Sequence, residues 1–461
     1  MKGKNGVAFV EEPGRKIPII AQVDVLVVGG GPSGVCAAVA AARAGMRTFL
    51  VEQYGFSGGM WTAGMVLTLA GFNSWLRPYH RCAEGIAGEW LRRAAAIASA
   101  EDNESWVLNS DPEGMKLVAD RLLEDAGVVV LYHTWGALPI IQGSRVIGAF
   151  IENVDGRSAI MAKVSVDCTG NGDMIARSGT QWEKGDTLQP MTMPFTIAGV
   201  KIKDQAGDSS PRCIPIGPQP MVLEGTILTG YASRRSDIEI PLGPMREARD
   251  RGELPLYGGP WFGGLHKDVV WVNTTRIVGD ASVARELTSA EIEGRRSIPP
   301  FVDYFRRNLP GFEEARLLQT GPHIGIRETR RLRGCYCLSG DDVRNRTSFE
   351  DAIGLGCWPI DIHPVDRAGI HAMYVPLPFQ IPYRCLLPRE VGGLLTAGRC
   401  ISVDREALAT VRVGATCGVT GHAAGAAAAV AVREGAEPAD INRDSLQQLL
   451  RDQGALIDPP K

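Results

Sequence analysis

A Rossmann-type α/β fold is predicted by three observations: a glycine-rich turn between an apolar strand and a small-residue helix, an acid at the end of the next strand, and two later strands that also end in glycine turns. The first strand runs through Asp24-Val-Leu-Val-Val28 into Gly29-Gly30-Gly31-Pro32-Ser33-Gly34, and residues 35–44 continue as an alanine-rich helix. Gly29 permits the tight turn, Gly31 lets the backbone approach a pyrophosphate without a Cβ clash, and Gly34 lets helix pack on strand. Pro32 and Ser33 complete the turn, so the helix N-terminus faces the phosphates. A second strand, residues 47–51, delivers Glu52, placed to accept hydrogen bonds from a ribose diol. A lone GxGxxG would be weak; the order strand, turn, helix, strand, acid makes it a dinucleotide cradle.

Residues beyond Glu52 favour a flavin dinucleotide over a nicotinamide. The loop 53–64, with Gln53, Gly58, Gly59 and Thr62, suits a chain running close along an extended dinucleotide. Residues 165–173 end an apolar strand in Thr169-Gly170, where a returning chain passes the adenine side. Residues 392–400 end another strand in Gly398-Arg399, and a helical run over 411–432 is opened by Arg412 and Gly414. Its N-terminus suits negative charge on a reduced isoalloxazine. Three strand-to-turn segments meeting one ligand imply FAD.

The remaining elements follow in order. Residues 1–20 read as an irregular lead-in. Residues 85–100 carry helical periodicity, and 111–126 begin with an N-cap-like Asp111 followed by Pro112. The stretches 128–133, 137–142, 145–152 and 159–167 read as a strand followed by a β-meander. Residues 181–260 are rich in Gly, Pro and polar residues, with helical period only at 245–252. A strand is expected at 268–273 and helices near 289–308, with Thr288 to Glu291 as a capping box. The proline-rich 374–388 returns the chain to the cradle. The expected division is a FAD-binding domain at 18–180 and 376–440, with a substrate or cap lobe at 181–375.

The segments GGGPSG, EQYGFSGGMWTAG, VDCTGNGD, LQPMTMPF, GIRETRR, WPIDIH, IPYRCLLP and LLTAGRCIS followed by ALATVRVGATC resemble the bacterial FAD-dependent oxidoreductase family, related to the fumarate reductase and succinate dehydrogenase flavoproteins. The resemblance spans most of residues 20–432. It implies a glutathione-reductase-like FAD domain built from separated stretches, with a lobe inserted between them, and leaves the substrate open. In many flavoproteins a Gly-Asp touches the ribityl chain and pyrophosphate; here the second position is Arg399. No histidine stands in the loop 53–64, where related fumarate reductases attach flavin, so non-covalent FAD is expected.

At 461 residues two lobes are the natural expectation. A formal net charge of −3 gives no reason to expect nucleic acid as partner. The ten cysteines are scattered, as in a reduced compartment, and no secretory leader is evident, so a cytoplasmic enzyme is expected. The apolar run 415–432 is mainly Ala and Gly and contains His422, which suits close helix packing and not membrane insertion. The partners expected are a small-molecule substrate and, permissibly, a second copy of the chain.

Chemistry is sought in two segments. In Ile324-Gly-Ile-Arg327-Glu-Thr-Arg330-Arg331-Leu-Arg333, strand periodicity puts Arg327, Arg331 and Arg333 on one face, able to clamp an anionic substrate or to serve as an ion network between lobes. In Trp358-Pro-Ile-Asp361-Ile-His363, His363 is the candidate base, with Asp361 on the same side of an extended segment; His323 and His371 come next. Cys335 and Cys337 read as ordinary thiols, with a redox or metal role beside Cys357 as the alternative, and no metal site is assigned. The expected reaction is hydride transfer between a small anionic organic substrate and FAD, with Arg327 and Arg331 as anchors and His363 exchanging the proton. A C=C reductase, a monooxygenase and a nucleotide-binding scaffold without turnover remain the alternatives.

Overall fold

The computed structural model describes residues 10, 14–100, 102–104, 107–201, 227–228, 242–266, 268–368 and 373–460. The opening unit comprises β1 (Ile19–Val28), α1 (Pro32–Arg43) and β2 (Thr48–Val51). Pro32 stands at the first helical position, where its missing N–H costs nothing. The two apolar strands run parallel with Val28 beside Val51, so Gly29 and Glu52 leave the same edge of the sheet.

Strand Gly156–Asp167 serves two structures at once. Its first half closes a meander by pairing antiparallel with Arg145–Asn153, which pairs in turn with Trp135–Gln142. It also runs parallel to β1, and its last residues pair with Leu394–Thr396. Val129–Leu131 adds beside β2 to complete a seven-stranded sheet. Parallel strands aligned in this way bring residues 29–34, 52, 167–170 and 397–399 to one carboxyl edge, where open α/β sheets bind ligands.

A second sheet of four strands has Phe195–Ala198 at its centre, flanked by Val269–Thr275 and Arg316–Thr320, with Tyr257–His266 outside. Helices Ala284–Arg296 and Ile298–Asn308 cover it. They bury Phe301 and Phe305 against Phe195, Ile197 and Val272.

Helix Gly414–Glu434, the long helix below, is apolar and long enough to cross a membrane, yet 94% of its apolar window is buried inside the protein. Gly421 and Gly425 explain the close fit: a Cβ at either would lie 2.0 Å from a carbonyl oxygen of α1, that of Ser33 or Ala37. His422 on this helix is also buried, its Nε2 2.7 Å from Gln453 Oε1, and burial pushes its pKa down to about 4. The unfolded chain binds a proton as pH falls below about 6.5, whereas the folded chain refuses it until near pH 4. His422 therefore contributes stability above about pH 6.5 that is lost as pH falls through 4, about 3 kcal/mol. Urea unfolding at pH 7 and pH 4, at fixed FAD, is expected to show that His422→Gln loses less stability on acidification than wild type by roughly that amount.

Two expectations are corrected. The helix expected near 289 begins at Ala284 with Val283 as N-cap, so Thr288 caps nothing; its hydroxyl donates to Ala284 O one turn back. The genuine capping box is Ser339 with Asp342. The arginine stretch is not a continuous strand, since only Arg331–Leu332 pairs, with Trp182–Glu183, while residues 327–330 are irregular. Most of 202–241 and His371 lie outside the described residues.

Candidate active site

The cradle is built by backbone contacts. Gly29, at φ +100°, donates its N–H to Val51 O at 2.8 Å, and Gly58 donates to Gly30 O at 2.8 Å. A Cβ on Gly59 would lie 2.8 Å from Gly31 Cα, whereas a Cβ on Gly31 would meet nothing nearer than Gly59 Cα at 3.9 Å. The open space beside Gly31 is thus next to the N-terminus of α1, where no side chain caps the first-turn N–H groups. Thr62 does not face that space with its hydroxyl, which closes the loop by donating to Ser57 O at 3.0 Å.

Glu52 is buried, and its carboxylate accepts N–H groups from Gly30 and from Tyr54, the latter at 2.9 Å. Burial still pushes its pKa up, outweighing the backbone donors, which include Gln53 N–H. Further hydroxyl donors such as a ribose diol would relieve it. Asp167, which the sequence reading left unassigned, is also buried; it accepts the Thr169 hydroxyl at 2.7 Å and the Met174 and Ile175 N–H groups at 2.9 and 3.0 Å. It fixes the turn at Thr169 and Gly170.

Arg399 spans the cradle and the arginine stretch. Its guanidinium donates to Gly170 O at 3.3 Å, to Asn171 Oδ1 at 3.0 Å and to Ile326 O, with no salt bridge among the described residues. Gly398, at φ +81°, has no room for a Cβ, which would lie 2.8 Å from Ser33 Oγ. At the long helix, Gly414 packs on Trp61, and Thr416 Oγ1 is buried without a hydrogen-bond partner among the described residues. Arg412 does not belong to this helix; it caps the preceding helix Arg405–Val411 and turns to Asp361. The uncapped helix ends, the under-compensated Glu52 and the orphaned Thr416 hydroxyl all fit FAD.

Next to the long helix a charged cluster forms. Residues 191 and 192 bridge Ile277 on one side and Gly325 on the other, which brings Arg276 and Arg327 together from distant parts of the chain. Arg327 Nη1 donates to Pro190 O and Thr192 Oγ1, both at 2.6 Å; Arg276 Nη1 reaches the same hydroxyl at 3.1 Å. Gly258 must lack a Cβ, which would fall 1.9 Å from Arg276 Nη2. Asp361 Oδ2 lies 3.2 Å from Arg412 Nη2 and 3.1 Å from His363 Nε2, and His363 Nδ1 lies 2.9 Å from Arg276 Nη2. Trp261 flanks Arg276 and His363, with centroid distances of 5.4 and 6.2 Å.

Charge is unbalanced in this cluster. Arg276 and Arg327 are buried and Arg412 nearly so, and among the described residues only Arg412 of the three forms an ion pair, with Asp361. Burial lowers the pKa of Arg276 to about 10 and, reinforced by Arg276 and Arg412, that of Arg327 well below its usual value. Burial likewise holds His363 neutral against the pull of Asp361. Two donors in the cluster, Gln189 Nε2 and Arg412 Nε, are buried without acceptors among the described residues. Positive charge and unused donors are what an anion would satisfy.

The expected anchors separate. Arg327 and His363 meet in this cluster. Arg331 is instead consumed as a structural cation: it lies 2.8 Å from Glu328 Oε1 and 3.2 Å from Glu183 Oε1. Arg333 shares Glu183 at 3.0 Å. His323 sits apart, edge-on to Tyr54 with its Nδ1 2.6 Å from Ile324 O. Cys335 and Cys337 are exposed thiols, whereas Cys357 is buried with Cys82. Arg276 escaped the sequence reading because a lone arginine after an apolar strand carries no motif; Gln189 stood inside the quoted segment LQPMTMPF without a role.

A family model described as FAD dependent oxidoreductase matches residues 24–450. A thiamine thiazole synthase of Methanococcus vannielii is 30% identical over 159 residues, 32% of this chain and 57% of that protein. A digeranylgeranylglycerophospholipid reductase of Methanosphaerula palustris is 26% identical over 220 residues, 42% of this chain and 49% of that protein. The chain thus spans about half the length of these relatives. Among solved structures, a geranylgeranyl bacteriochlorophyll reductase-like protein from Thermoplasma acidophilum aligns over 94% of this chain and 82% of its own, at 13% identity and TM-score 0.45. A flavin-dependent brominase aligns over 94% and 83%, at 13% identity and TM-score 0.45. None of these four is a fumarate reductase or a succinate dehydrogenase.

Proposed function

The chain belongs to the FAD-dependent oxidoreductase family, and we propose that it oxidises a small organic acid by hydride transfer to FAD. The observation that carries this reading is the buried excess of guanidinium over carboxylate around Asp361 and His363 among the described residues.

Bound FAD supplies the two-electron acceptor. Arg327 and Arg276 hold the substrate carboxylate, guanidinium being the planar fork that grips it bidentately. Arg412, tied to Asp361, keeps the carboxylate of that residue directed at His363. His363 takes the proton as hydride leaves carbon, and Asp361 stabilises the resulting imidazolium. The near-complete burial of Arg276, Arg327, Asp361 and His363 excludes bulk water.

Anaerobic bleaching of the flavin by a panel of organic acids tests this, with neutral alcohols and amines as the contrast. Acids are expected to bleach and neutral analogues to fail; rapid bleaching by NADH or NADPH alone would overturn the dehydrogenase reading in favour of a monooxygenase. Arg327→Lys keeps charge but loses the fork. Its kcat/KM is expected to fall by about 1–3 kcal/mol with FAD content near wild type. Normal kinetics with a lowered melting temperature would discard Arg327 as anchor.

A further inference from the structure

We propose that Arg276 caps the base: its guanidinium covers the acceptor nitrogen of His363, and the anionic group of the substrate uncovers that nitrogen by drawing the guanidinium onto itself. This rests on the organic-acid reading above.

The hydrogen-bond polarity of the cluster leads to it. A guanidinium can only donate, so Nδ1 of His363, 2.9 Å from Arg276 Nη2, is the unprotonated ring nitrogen. Nε2 then carries the proton and points it at Asp361 Oδ2, 3.1 Å away. The basic lone pair of the imidazole is therefore under Arg276, and no substrate proton reaches it while the contact lasts. The ring is held by Asp361 Oδ2 at Nε2, 3.1 Å away, and by Trp261 against one side, while Gln189 Oε1 fixes the backbone by accepting the His363 N–H at 3.1 Å.

Arg276 is held loosely by comparison with what a carboxylate offers. Among the described residues its acceptors are neutral: the imidazole, Thr192 Oγ1 at 3.1 Å and Thr275 O at 3.3 Å, under the Trp261 ring. A charge-assisted, bidentate contact is stronger than a bond to neutral imidazole, so exchange toward an arriving carboxylate is favoured. The same event changes the field at the base. Among the described residues, the charged groups acting on His363 are Asp361, Arg327 and Arg276, with Arg412 beyond Asp361. Arg327 and Arg276 both oppose its protonation, and a bound carboxylate offsets both, leaving Asp361 to favour the imidazolium. The substrate then loses its heteroatom proton to Nδ1 and its C–H hydride to FAD, forming C=O or C=N; the substrate is oxidised by two electrons and FAD is reduced. A neutral alcohol meets a covered base, so discrimination against it lies in kcat and not only in KM.

The test uses FAD-loaded protein labelled with 15N-histidine, the His363 ring nitrogens being assigned by their loss in His363→Gln. Malonate serves as a redox-inert carboxylate. Saturating malonate is expected to move the Nδ1 resonance and to raise the proton affinity of His363 at least tenfold. Arg276→Gln, without malonate, is expected to show Nδ1 already displaced from its wild-type position; should that variant not fold, the wild-type titration decides alone. Calorimetric binding of malonate with unmoved His363 nitrogens would sink the cap while leaving the organic-acid reading intact. No binding of malonate or of acetate at any accessible concentration would overturn both.

Discussion

Asp361→Ala is expected to destabilise the protein by about 3–5 kcal/mol, a large fraction of the stability of an ordinary domain. The carboxylate is buried, pairs with Arg412 at 3.2 Å and faces His363 Nε2 at 3.1 Å. Without it, the buried Arg276 and Arg327 and the nearly buried Arg412 are left with no carboxylate paired to them among the described residues, which is the costly half of a broken ion pair. Asp361→Asn keeps the shape and isolates the charge, so it should retain most of the loss. Saturating malonate should return part of it, because an anion bound to the folded state alone stabilises by about 2.7 kcal/mol at a hundred times its dissociation constant. Urea unfolding at fixed FAD measures all three. A loss within about 1 kcal/mol for Asp361→Ala would show that the guanidinium excess is compensated otherwise, and would remove the main support for an acidic substrate.

How much of this was legible in the sequence depends on whether a residue works through its neighbours in the chain or through distant ones. The cradle was legible because glycine spacing, a preceding apolar strand and Glu52 all lie within one continuous segment. The meander was legible from alternation and turn residues, although nothing local showed that strand Gly156–Asp167 would also carry Leu394–Thr396. Asp361 and His363 were paired correctly by the period of an extended segment. The arginines were the hard case. Density of charge drew attention to residues 327–333, yet Glu328 and Glu183 consume Arg331, and the cluster proposed to hold the substrate joins Arg327 to Arg276 and Arg412 across the chain. That grouping is created by the bridges of residues 191 and 192, which are long-range pairings with no local signature.

Gly34→Ala is expected to remove FAD binding and to weaken the apoprotein, whereas Gly31→Ala should remove FAD binding alone. A Cβ at Gly34 would lie 1.7 Å from Gly29 O and 3.3 Å from Cys168 Cβ, a backbone collision that no rotamer relieves. Helix α1 must retreat from the turn, but it is pinned on its other side by Gly421 and Gly425 of the long helix, where a Cβ would already meet a carbonyl at 2.0 Å. Overpacking of this kind costs about 1–3 kcal/mol and occasionally more. The retreat also withdraws the uncapped N-terminus of α1 from the position that receives phosphate. At Gly31 the nearest atom to a Cβ is Gly59 Cα at 3.9 Å, so the protein itself tolerates the methyl group, and only the pyrophosphate competes for that space. Urea unfolding of the two apoproteins, together with flavin absorbance of the proteins as purified, separates the effects. An apo Gly31→Ala protein as unstable as Gly34→Ala would mean that the space beside Gly31 closes in the folded chain. Full flavin occupancy in Gly31→Ala would place the pyrophosphate elsewhere on the sheet edge.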